Sequence, residues 1–394
     1  MKATFRKLIA FVALLAMASP ASASHFGWGA EKWDAVCNVG WNLMDFEACS
    51  SECESCEFYP AYDDPAWPRM YFGDLIENRC RKHAFTGAPP AGPHPSAACR
   101  SCAGYTFSGE GGIVYMTRSS ATSQVLLRDG VGGTLFDTDD LGFDYEFGPS
   151  LRLTGKYSGN PWEFEFVYYG IHDFLATGSV VGNNTQLLID SNPTIALVND
   201  PTFRYDSQID NLEFNMYLAA GCCLPRSRWM IGARWIELDD NYSVAGTEFL
   251  TNQPLQHGIR AYNHMYGFQL GLETNWVNYQ CGRTTLNSTI KAGVFGNTAD
   301  QSTTFDDQAT NVTVTSSDDS SSFTGEVGIT GKYQVNDWCS LRANYTALWI
   351  EGVALAPDQI QRTSLVDPPG IGSTLDMSGG TLYHGAFFGV EFRR

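Results

Sequence analysis

Charged residues are scarce in this sequence, and basic residues are the scarcer kind. Only 17% of the residues are charged, with 25 Lys and Arg against 43 Asp and Glu, which gives a formal net charge of -18. Nucleic acid is bound through basic patches, so an acidic chain with few bases is a poor match for such a partner. The composition therefore argues against a nucleic-acid-binding function.

Long apolar runs are missing beyond the first residues. Three basic residues precede an apolar run from Leu8 to Met17, and small residues follow up to Ala23. This arrangement predicts a secretory signal peptide, residues 1–23, that is cleaved after Ala23. A single-pass anchor is the alternative, but about ten apolar residues are too few for a bilayer that asks for roughly 20. The rest of the chain can enter a membrane only as strands.

Helical periodicity is almost absent, whereas glycine and aromatic residues are abundant. The chain has 39 glycines and is 13% aromatic. From about Phe107 onward, apolar and polar residues alternate in segments of roughly ten to sixteen residues, which is typical of strands with one lipid face and one water face. The pattern predicts an all-β fold.

The clearest alternation runs from Phe323 to Val335, where one parity is apolar or glycine and the other mostly polar. The segment Leu341 to Trp349 repeats it after a predicted link of only Asn336-Asp337. Two strands joined by so short a turn form an antiparallel hairpin.

Ten segments alternate in this way, from Phe107–Arg118 to Leu382–Phe392. Tight turns alternate with polar loops of about 20 to 30 residues, which is typical of outer-membrane barrels and has no reason in a soluble sandwich. Apolar runs at Gln124–Leu127 and Gln186–Ile189 leave twelve strands as the alternative count. The predicted loops are residues 119–141, 174–204, 241–261, 298–321 and 353–380.

The placement of charge gives a second argument for a membrane barrel. A Lys or Arg facing lipid near mid-bilayer costs roughly 2 to 4 kcal/mol, and the ten predicted outer faces carry no charge within their membrane-length windows. If the inner charges pair, they form a plug; if they segregate to opposite walls, they create a transverse field around a narrow pore. The predicted lumen-lining residues are Glu146, Arg152, Lys156, Glu163, Glu165, Glu213, Arg234, Glu273, Lys291, Glu326, Lys332, Arg342 and Glu391.

Cysteine is plentiful, which in an exported chain indicates disulfides rather than reduced thiols. Because eleven is an odd number, the cysteines cannot all pair within one chain, and disulfide-linked self-association is a further expectation. Zinc is the alternative for Cys53-x-x-Cys56 and Cys99-x-x-Cys102, although their separation is wider than in usual zinc sites. The disulfide candidates are Cys37, Cys49, Cys53, Cys56, Cys80, Cys99, Cys102, Cys222, Cys223, Cys281 and Cys339.

No residue pattern points to catalysis, and we expect neither an enzyme nor a cofactor. Asn263-His264 is similar to the Asn and His of a membrane phospholipase, but His264 has lipid-facing parity and no nearby serine continues the motif. Four acidic pairs lie in or beside predicted external loops, where we expect them to be solvated, with divalent cations as the alternative. They are Asp139-Asp140, Asp239-Asp240, Asp306-Asp307 and Asp318-Asp319.

Parts of the chain also carry a family resemblance. The stretch FTGEVGITGKYQVNDWCSLRANYTALWIEGVALAPDQI from Phe323, IGARWIELDDNY from Ile231 and KAGVFGN from Lys291 resemble the outer-membrane β-barrel porin-like family of planctomycete-type bacteria. The resemblance covers about residues 140–394 and leaves out the Cys-rich start. It implies a barrel fold and a porin-like role.

These observations predict an antiparallel transmembrane β-barrel of ten or twelve strands, residues 106–394. A Cys-rich, irregular periplasmic segment, residues 24–105, follows the signal peptide. We expect an outer-membrane location, with that segment and the C-terminus periplasmic. The expected function is passive diffusion of small hydrophilic solutes, with outer-membrane lipid as the other partner. The alternative is a structural protein anchored in lipid and cross-linked through periplasmic disulfides.

Overall fold

The computed structural model describes residues 105–121, 123–157, 162–182, 184–189, 195–219, 226–279, 283–308, 311–364 and 372–393. The predicted signal peptide lies outside these residues, and so does the Cys-rich segment apart from Tyr105. Ten of the disulfide candidates lie outside them too, and Cys339 lies within. The described part of the chain contains no helix long and apolar enough to cross a membrane.

Fifteen strands make up most of the described residues, because the period-two alternation suits extended backbone with two different faces. In chain order they are β1 (Tyr105–Arg118), β2 (Val125–Arg128), β3 (Thr134–Asp137), β4 (Glu146–Tyr157), β5 (Glu163–Ser179), β6 (Thr185–Leu188), β7 (Ile195–Ala219), β8 (Ser227–Glu248), β9 (Pro254–Tyr279), β10 (Thr284–Asp306), β11 (Asn311–Gln334), β12 (Cys339–Val353), β13 (Thr363–Ser364), β14 (Gly372–Ser373) and β15 (Gly379–Arg393).

Ten of these strands close into a ring. Its order is β1, β4, β5, β7, β8, β9, β10, β11, β12 and β15, with β15 returning to pair with β1. Ser108 lies opposite Arg393 in that pair, so the start of β1 and the end of β15 share one end of the barrel. The predicted antiparallel ten-stranded barrel is confirmed.

The two short apolar runs that left the count open are strands, but they lie outside the ring. Most of the first run forms β2 and most of the second forms β6, and Leu127 lies opposite Leu187. The strand β6 pairs with the first residues of β7, and β2 pairs in turn with β3. They extend the main sheet to thirteen strands without entering the ring.

The predicted long loops are wrong in extent, because the strands continue beyond their predicted ends. Strands β8 and β9 replace most of the predicted loop 241–261 and leave a connection of residues 249–253. Strands β10 and β11 stay paired up to Asp306 opposite Asn311, so the predicted loop 298–321 is also a hairpin. The predicted loop 174–204 contains the end of β5, β6 and the start of β7. Outward side chains in these extensions are mostly polar, which hid the strands.

The faces of the strands follow the predicted parity with local exceptions. Phe323 and Ile329 of β11 are exposed, whereas Thr324 and Thr330 between them are buried. Phe143 has the same parity as the exposed residues of β4 but is buried, because it precedes β4 and lies in a stretch without strand geometry, where parity does not hold. The turn from β11 to β12 spans residues 335–338, twice the predicted length.

The half of the lumen farther from the start of β1 and the end of β15 has an apolar core. Inward side chains of the ring strands pack there with residues of the connection between β1 and β4, such as Leu126 and Leu141. The described residues of the connection between β12 and β15, 354–364 and 372–378, also enter this core, and we name them the inserted segment. Its residues Leu355 and Ile360 are buried, the latter in a 3-10 turn over Pro357–Arg362.

A glycine near the end of β12, two residues before the inserted segment, cannot easily be replaced by another residue. Gly352 has a φ of +83°, and a Cβ there would lie 2.8 Å from the Ser321 carbonyl oxygen. We expect Gly352→Ala to lower the free energy of unfolding by about 1 to 3 kcal/mol, because it combines a strained φ with a backbone clash. Urea unfolding of the detergent-solubilised protein measures this loss.

Gly331→Ala is the matched control, since a Cβ at Gly331 meets its nearest neighbouring atom only at 4.0 Å. We expect that control to change the unfolding free energy little. Equal losses in the two variants would contradict the argument from Gly352.

Candidate functional site in the barrel lumen

Eight charged side chains meet in the middle of the lumen, and we name them the central ion-pair cluster. They come from eight strands of the ring and all point inward, as strand parity requires. Four are acids and four are bases, so the cluster has no net charge. Its members are Glu110, Glu165, Glu213 and Glu326 with Arg152, Arg234, Lys291 and Arg342.

One half of the cluster lies on the β1 side, where Glu110 of β1 is approached from the neighbouring strand β4 and from β12, which lies beyond β15. A nitrogen of Arg152 lies 2.5 Å from a Glu165 oxygen and another lies 3.7 Å from Glu110. Arg342 approaches the same Glu110 oxygen at 3.4 Å. Both arginines therefore share one carboxylate of β1.

The other half spans the lumen. Arg234 of β8 contacts Glu326 of β11 at 2.8 Å, and Lys291 of β10 contacts Glu213 of β7 at 2.9 Å. Each base also approaches the other acid, at 3.6 Å for Arg234 and Glu213 and at 2.9 Å for Lys291 and Glu326. Since neither β8 and β11 nor β7 and β10 are neighbours in the ring, these contacts cross the interior and occlude it.

Neutral side chains link the two halves and complete their hydrogen bonds. The Asn215 amide donates to Glu165 at 3.1 Å and to Glu213 at 3.0 Å. Gln269 donates to Glu213, and Tyr217 donates to Glu165. Buried charges are tolerated when they are paired and fully hydrogen-bonded, which is the condition met here.

The space left within the cluster is small. A cavity of about 30 Å³ lies between cluster members and Ser150, Tyr169 and Asn344. That volume holds only a couple of water molecules. The cluster is thus a plug, which is the first of the two arrangements that the sequence left open.

The ion pairs become more exposed toward the end of the barrel where β1 starts and β15 ends. Arg228 contacts Glu163 at 2.7 Å and Glu273 at 2.8 Å, and Lys332 contacts Glu391 at 2.6 Å. These pairs join the central cluster to the water at this mouth, so the polar half of the lumen is continuous.

The structure places eleven of the thirteen predicted lumen-lining residues in these ion pairs. Glu146 and Lys156 lie at the two ends of β4, half-buried and exposed respectively, and neither joins an ion pair among the described residues. Sequence reasoning missed Glu110, although its inward parity in β1 was a usable signal.

A further ion pair lies within the apolar half of the lumen. Arg118 contacts Asp240 at 2.6 Å, both side chains are fully buried, and Asp240 also accepts hydrogen bonds from Tyr205 and Ser207. The expectation that Asp239-Asp240 is a solvated loop pair is therefore wrong for Asp240, which faces inward from β8. Its neighbour Asp239 faces outward.

The other acidic pairs lie nearer the surface. Asp139 and Asp140 are exposed in a 3-10 turn, and Asp318 and Asp319 are exposed on β11. Asp306, at the end of β10, is exposed and caps the following turn by accepting a hydrogen bond from the Gln308 backbone. All three pairs lie in or beside solvent-facing strands and turns.

Polar side chains from three adjacent strands hold the beginning of the inserted segment. The Asn263 amide of β9 donates to the Ala354 carbonyl at 2.7 Å and accepts from the Ala354 backbone nitrogen at 2.8 Å. Asn297 of β10 and Ser322 of β11 donate to the Gly352 carbonyl at 3.2 and 2.6 Å. The segment is thus clasped in the lumen by side chains of the barrel wall.

Asn263 and His264 cannot act as one site, because they face opposite sides of the wall. His264 has the predicted outward parity and lies 2.9 Å from Glu237, with Trp235 donating to its other ring nitrogen at 3.1 Å. No group of three or more His, Cys, Asp or Glu side chains that could hold a metal ion occurs within the described ranges. The two Cys-x-x-Cys pairs lie outside those ranges, and Cys339 has a free thiol.

The comparisons with known proteins find remote structural likeness only. No family model matches the chain, and no curated protein matches it. The porin-like family resemblance therefore stays a prediction.

Three solved outer-membrane barrels illustrate this likeness. The outer membrane protease OmpT from Escherichia coli is 12% identical, with 74% of this chain and 96% of that chain covered and a TM-score of 0.42. A FadL homologue from Pseudomonas aeruginosa is 9% identical, with coverage of 73% and 90% and a TM-score of 0.30. An anion-selective porin from Comamonas acidovorans is 10% identical, with coverage of 74% and 100% and a TM-score of 0.15. Scores this low carry no argument, and the barrel assignment depends on strand pairing alone.

Loss of one base from the central ion-pair cluster is expected to be costly. Arg234→Met leaves Glu326 with Lys291 alone and removes a donor to Asn211, while the new side chain keeps the volume. We expect the free energy of unfolding to fall by about 3 to 5 kcal/mol, because a buried charge loses its partner. Urea unfolding in lipid vesicles measures it.

Arg204→Met is the control, since Arg204 pairs with Asp206 on the exposed side of β7. An exposed pair is worth at most about 1 kcal/mol, so this variant stays close to the parent. Similar losses at the two positions would argue against a closed central cluster.

Proposed function

We propose that this chain is an outer-membrane barrel that passes small hydrophilic solutes through a gated lumen, which is closed in the conformation described above. The observation that carries the proposal is the lumen itself. Its polar half is lined by charges of both signs, and its other half holds an apolar core that is completed by the inserted segment. Such a lumen suits polar solutes once the inserted segment and the lumen-spanning ion pairs of the central cluster are displaced.

The outer surface supports the membrane location. Tyr266, Phe268 and Leu270 of β9 are 59 to 75% exposed, and comparable apolar side chains are exposed all around the ring. Contiguous apolar surface on this scale is rare in water-soluble monomers and is expected where a protein meets lipid.

This exposed apolar surface around the ring, which we name the apolar belt, has a sharp margin. Beyond Tyr266, the same face of β9 continues with His264, Tyr262 and Arg260, and beyond Val294 the same face of β10 continues with Thr298 and Asp300. Aromatic and polar side chains at such a margin suit the interface between hydrocarbon and water. The extended hairpins β8–β9 and β10–β11 would then stand in the external medium.

The orientation follows from the connections. The start of β1, the end of β15 and the short turn of residues 335–338 lie at one end of the barrel, and the extended hairpins lie at the other. In outer-membrane barrels the short turns face the periplasm. We therefore assign the start of β1, the end of β15 and Cys339 to the periplasmic side.

A charge placed in the belt tests the membrane location. Ile329 lies on the outward face of β11 within the apolar belt and is 59% exposed. We expect Ile329→Arg to lower the free energy of unfolding from lipid vesicles by about 2 to 4 kcal/mol, because the arginine would face hydrocarbon.

Thr315→Arg is the control on the same face of the same strand, beyond the belt. We expect it to be neutral. If Ile329→Arg were as well tolerated as Thr315→Arg, the belt would not face lipid.

Conductance in planar bilayers tests passage. We expect the parent protein to be closed for most of the time. Replacement of residues 354–378 by a short Gly-Ser link, combined with Arg234→Ser and Glu326→Ser, removes the inserted segment and one lumen-spanning pair while keeping the charge balance. That variant is expected to give stable conductance steps.

The control for this variant is Arg204→Ser with Asp206→Ser, which removes an exposed pair and leaves the lumen intact. It should behave like the parent. A silent triple variant, shown to be folded by its β-sheet circular dichroism, would sink the passage proposal.

The closed lumen also favours a second function, a structural barrel anchored in the outer membrane and linked to the envelope through the Cys-rich segment. Non-reducing electrophoresis of the exported protein separates the two. A ladder that collapses on reduction, together with a silent barrel, supports anchoring. A lone monomer removes the main argument for it.

A further inference from the structure

The inserted segment contains a carboxylate in an unusual place. Asp358 lies in its 3-10 turn and is only 5% exposed, beside the fully buried Ala356 and the buried Ile360. The one described hydrogen bond to its carboxylate is a long one, 3.5 Å from the Gln124 side-chain nitrogen. A buried ionised carboxylate needs a cation or several donors, and this site offers neither.

The charged groups around Asp358 are already engaged elsewhere. Arg118 of β1 is paired with Asp240 of β8, and Tyr205 of β7 donates to the same Asp240. Asp376, near the end of the inserted segment, is held by Arg362 at 2.9 Å and by Ser378. Asp358 therefore faces two carboxylates, and the nearest cations are neutralised by those carboxylates.

The titration of Asp358 agrees with this geometry. Burial, together with the neighbouring Asp376 and Asp240, raises the pKa of Asp358 to about 7 from its ordinary 3.8. Burial alone would also raise the pKa of Asp376, but hydrogen bonds from Ser378 and Arg362 lower it instead. Asp376 thus stays ionised and keeps repelling a charge on Asp358.

We propose that the proton on Asp358 controls the release of the inserted segment from the lumen. With Asp358 neutral, the segment docks in the apolar core; with Asp358 ionised, the segment is weakened in its site and leaves more often. This inference deepens the proposed function, on which its meaning as a gate rests.

The direction of the effect follows from proton linkage. The docked segment binds the proton on Asp358 more tightly than the released segment does, so docking is strongest below about pH 4. The equilibrium constant for release then rises by up to about tenfold per pH unit until about pH 7 and levels off above it. The apolar half of the lumen is expected to be closed in acid and to open more often at neutral and alkaline pH.

Hydrogen–deuterium exchange of residues 352–362, corrected for intrinsic rates, measures the release directly between pH 4.5 and pH 8. For the parent protein we expect at least a tenfold rise in the opening constant over this range. Asp358→Asn carries a neutral side chain of the same shape and is expected to remain protected throughout. Asp319→Asn, at an exposed position of β11, is the matched control and keeps the parent's response.

Two results would overturn the switch. One is protection of residues 352–362 in the parent protein that does not change with pH, and the other is a pH response that persists unchanged in Asp358→Asn. Gln124→Lys provides an independent test should Asp358→Asn fold poorly. A cation beside Asp358 stabilises its charged form in the docked state, so the pH response is expected to shrink.

Conductance and exchange recorded together on Arg234→Ser with Glu326→Ser, which keeps the inserted segment but lacks one lumen-spanning pair of the central ion-pair cluster, separate the switch from the passage proposal. Release of the segment at pH 8 without conductance in this variant leaves the switch standing and sinks passage. Conductance that opens while residues 352–362 stay protected sinks the switch and leaves passage standing.

Discussion

Closure of the strand ring is the constraint on which the rest of this structure depends. A membrane offers no water to the backbone, so every strand that faces lipid needs two neighbours. The pairs β1 with β15 and β7 with β8 leave no free edge among the ring strands. Closure also fixes the direction of each side chain, because successive residues must point alternately to the lumen and to the surroundings.

The polarity of the wall inverts along the barrel. In the belt, Phe268 faces outward and Gln269 inward, whereas in the extension of β8 it is Leu238 that is buried inward and Asp239 that faces outward. The physical reason is the outer solvent, which is lipid around the belt and water around the extension. A barrel in water can fill its interior with an apolar core, as a soluble domain does, and the inserted segment completes that core.

Within the belt, the outward side chains are apolar, and charged and polar side chains fill the interior in place of an apolar core. Charged residues there are satisfied by one another and by neutral side chains such as Asn215, Gln269 and Tyr217. Such an interior gains little stability from its ion pairs, because desolvation offsets much of their attraction. It gains a polar path that one neutral cluster closes, whereas Asp358 is buried in the apolar interior.

Sequence alone determined the strands of the belt, their number in the ring and the inward or outward parity of their side chains, because these depend on a local period of two. It could therefore place Arg234 and Glu326 on the inner face. Sequence alone did not identify the extended hairpins, because strands whose outward residues are polar lack the apolar face expected next to lipid. These segments were therefore interpreted as loops.

Only the tertiary structure decided which inward charges meet. Arg234 contacts Glu326 three strands away in the ring, and that distance depends on the curvature and stagger of the closed sheet rather than on any local pattern. The same holds for Arg118 with Asp240, and for the return of the inserted segment into the lumen. A segment of mixed composition enters a core only where the walls supply matching donors, as Asn263, Asn297 and Ser322 do, and their convergence is a property of the folded barrel.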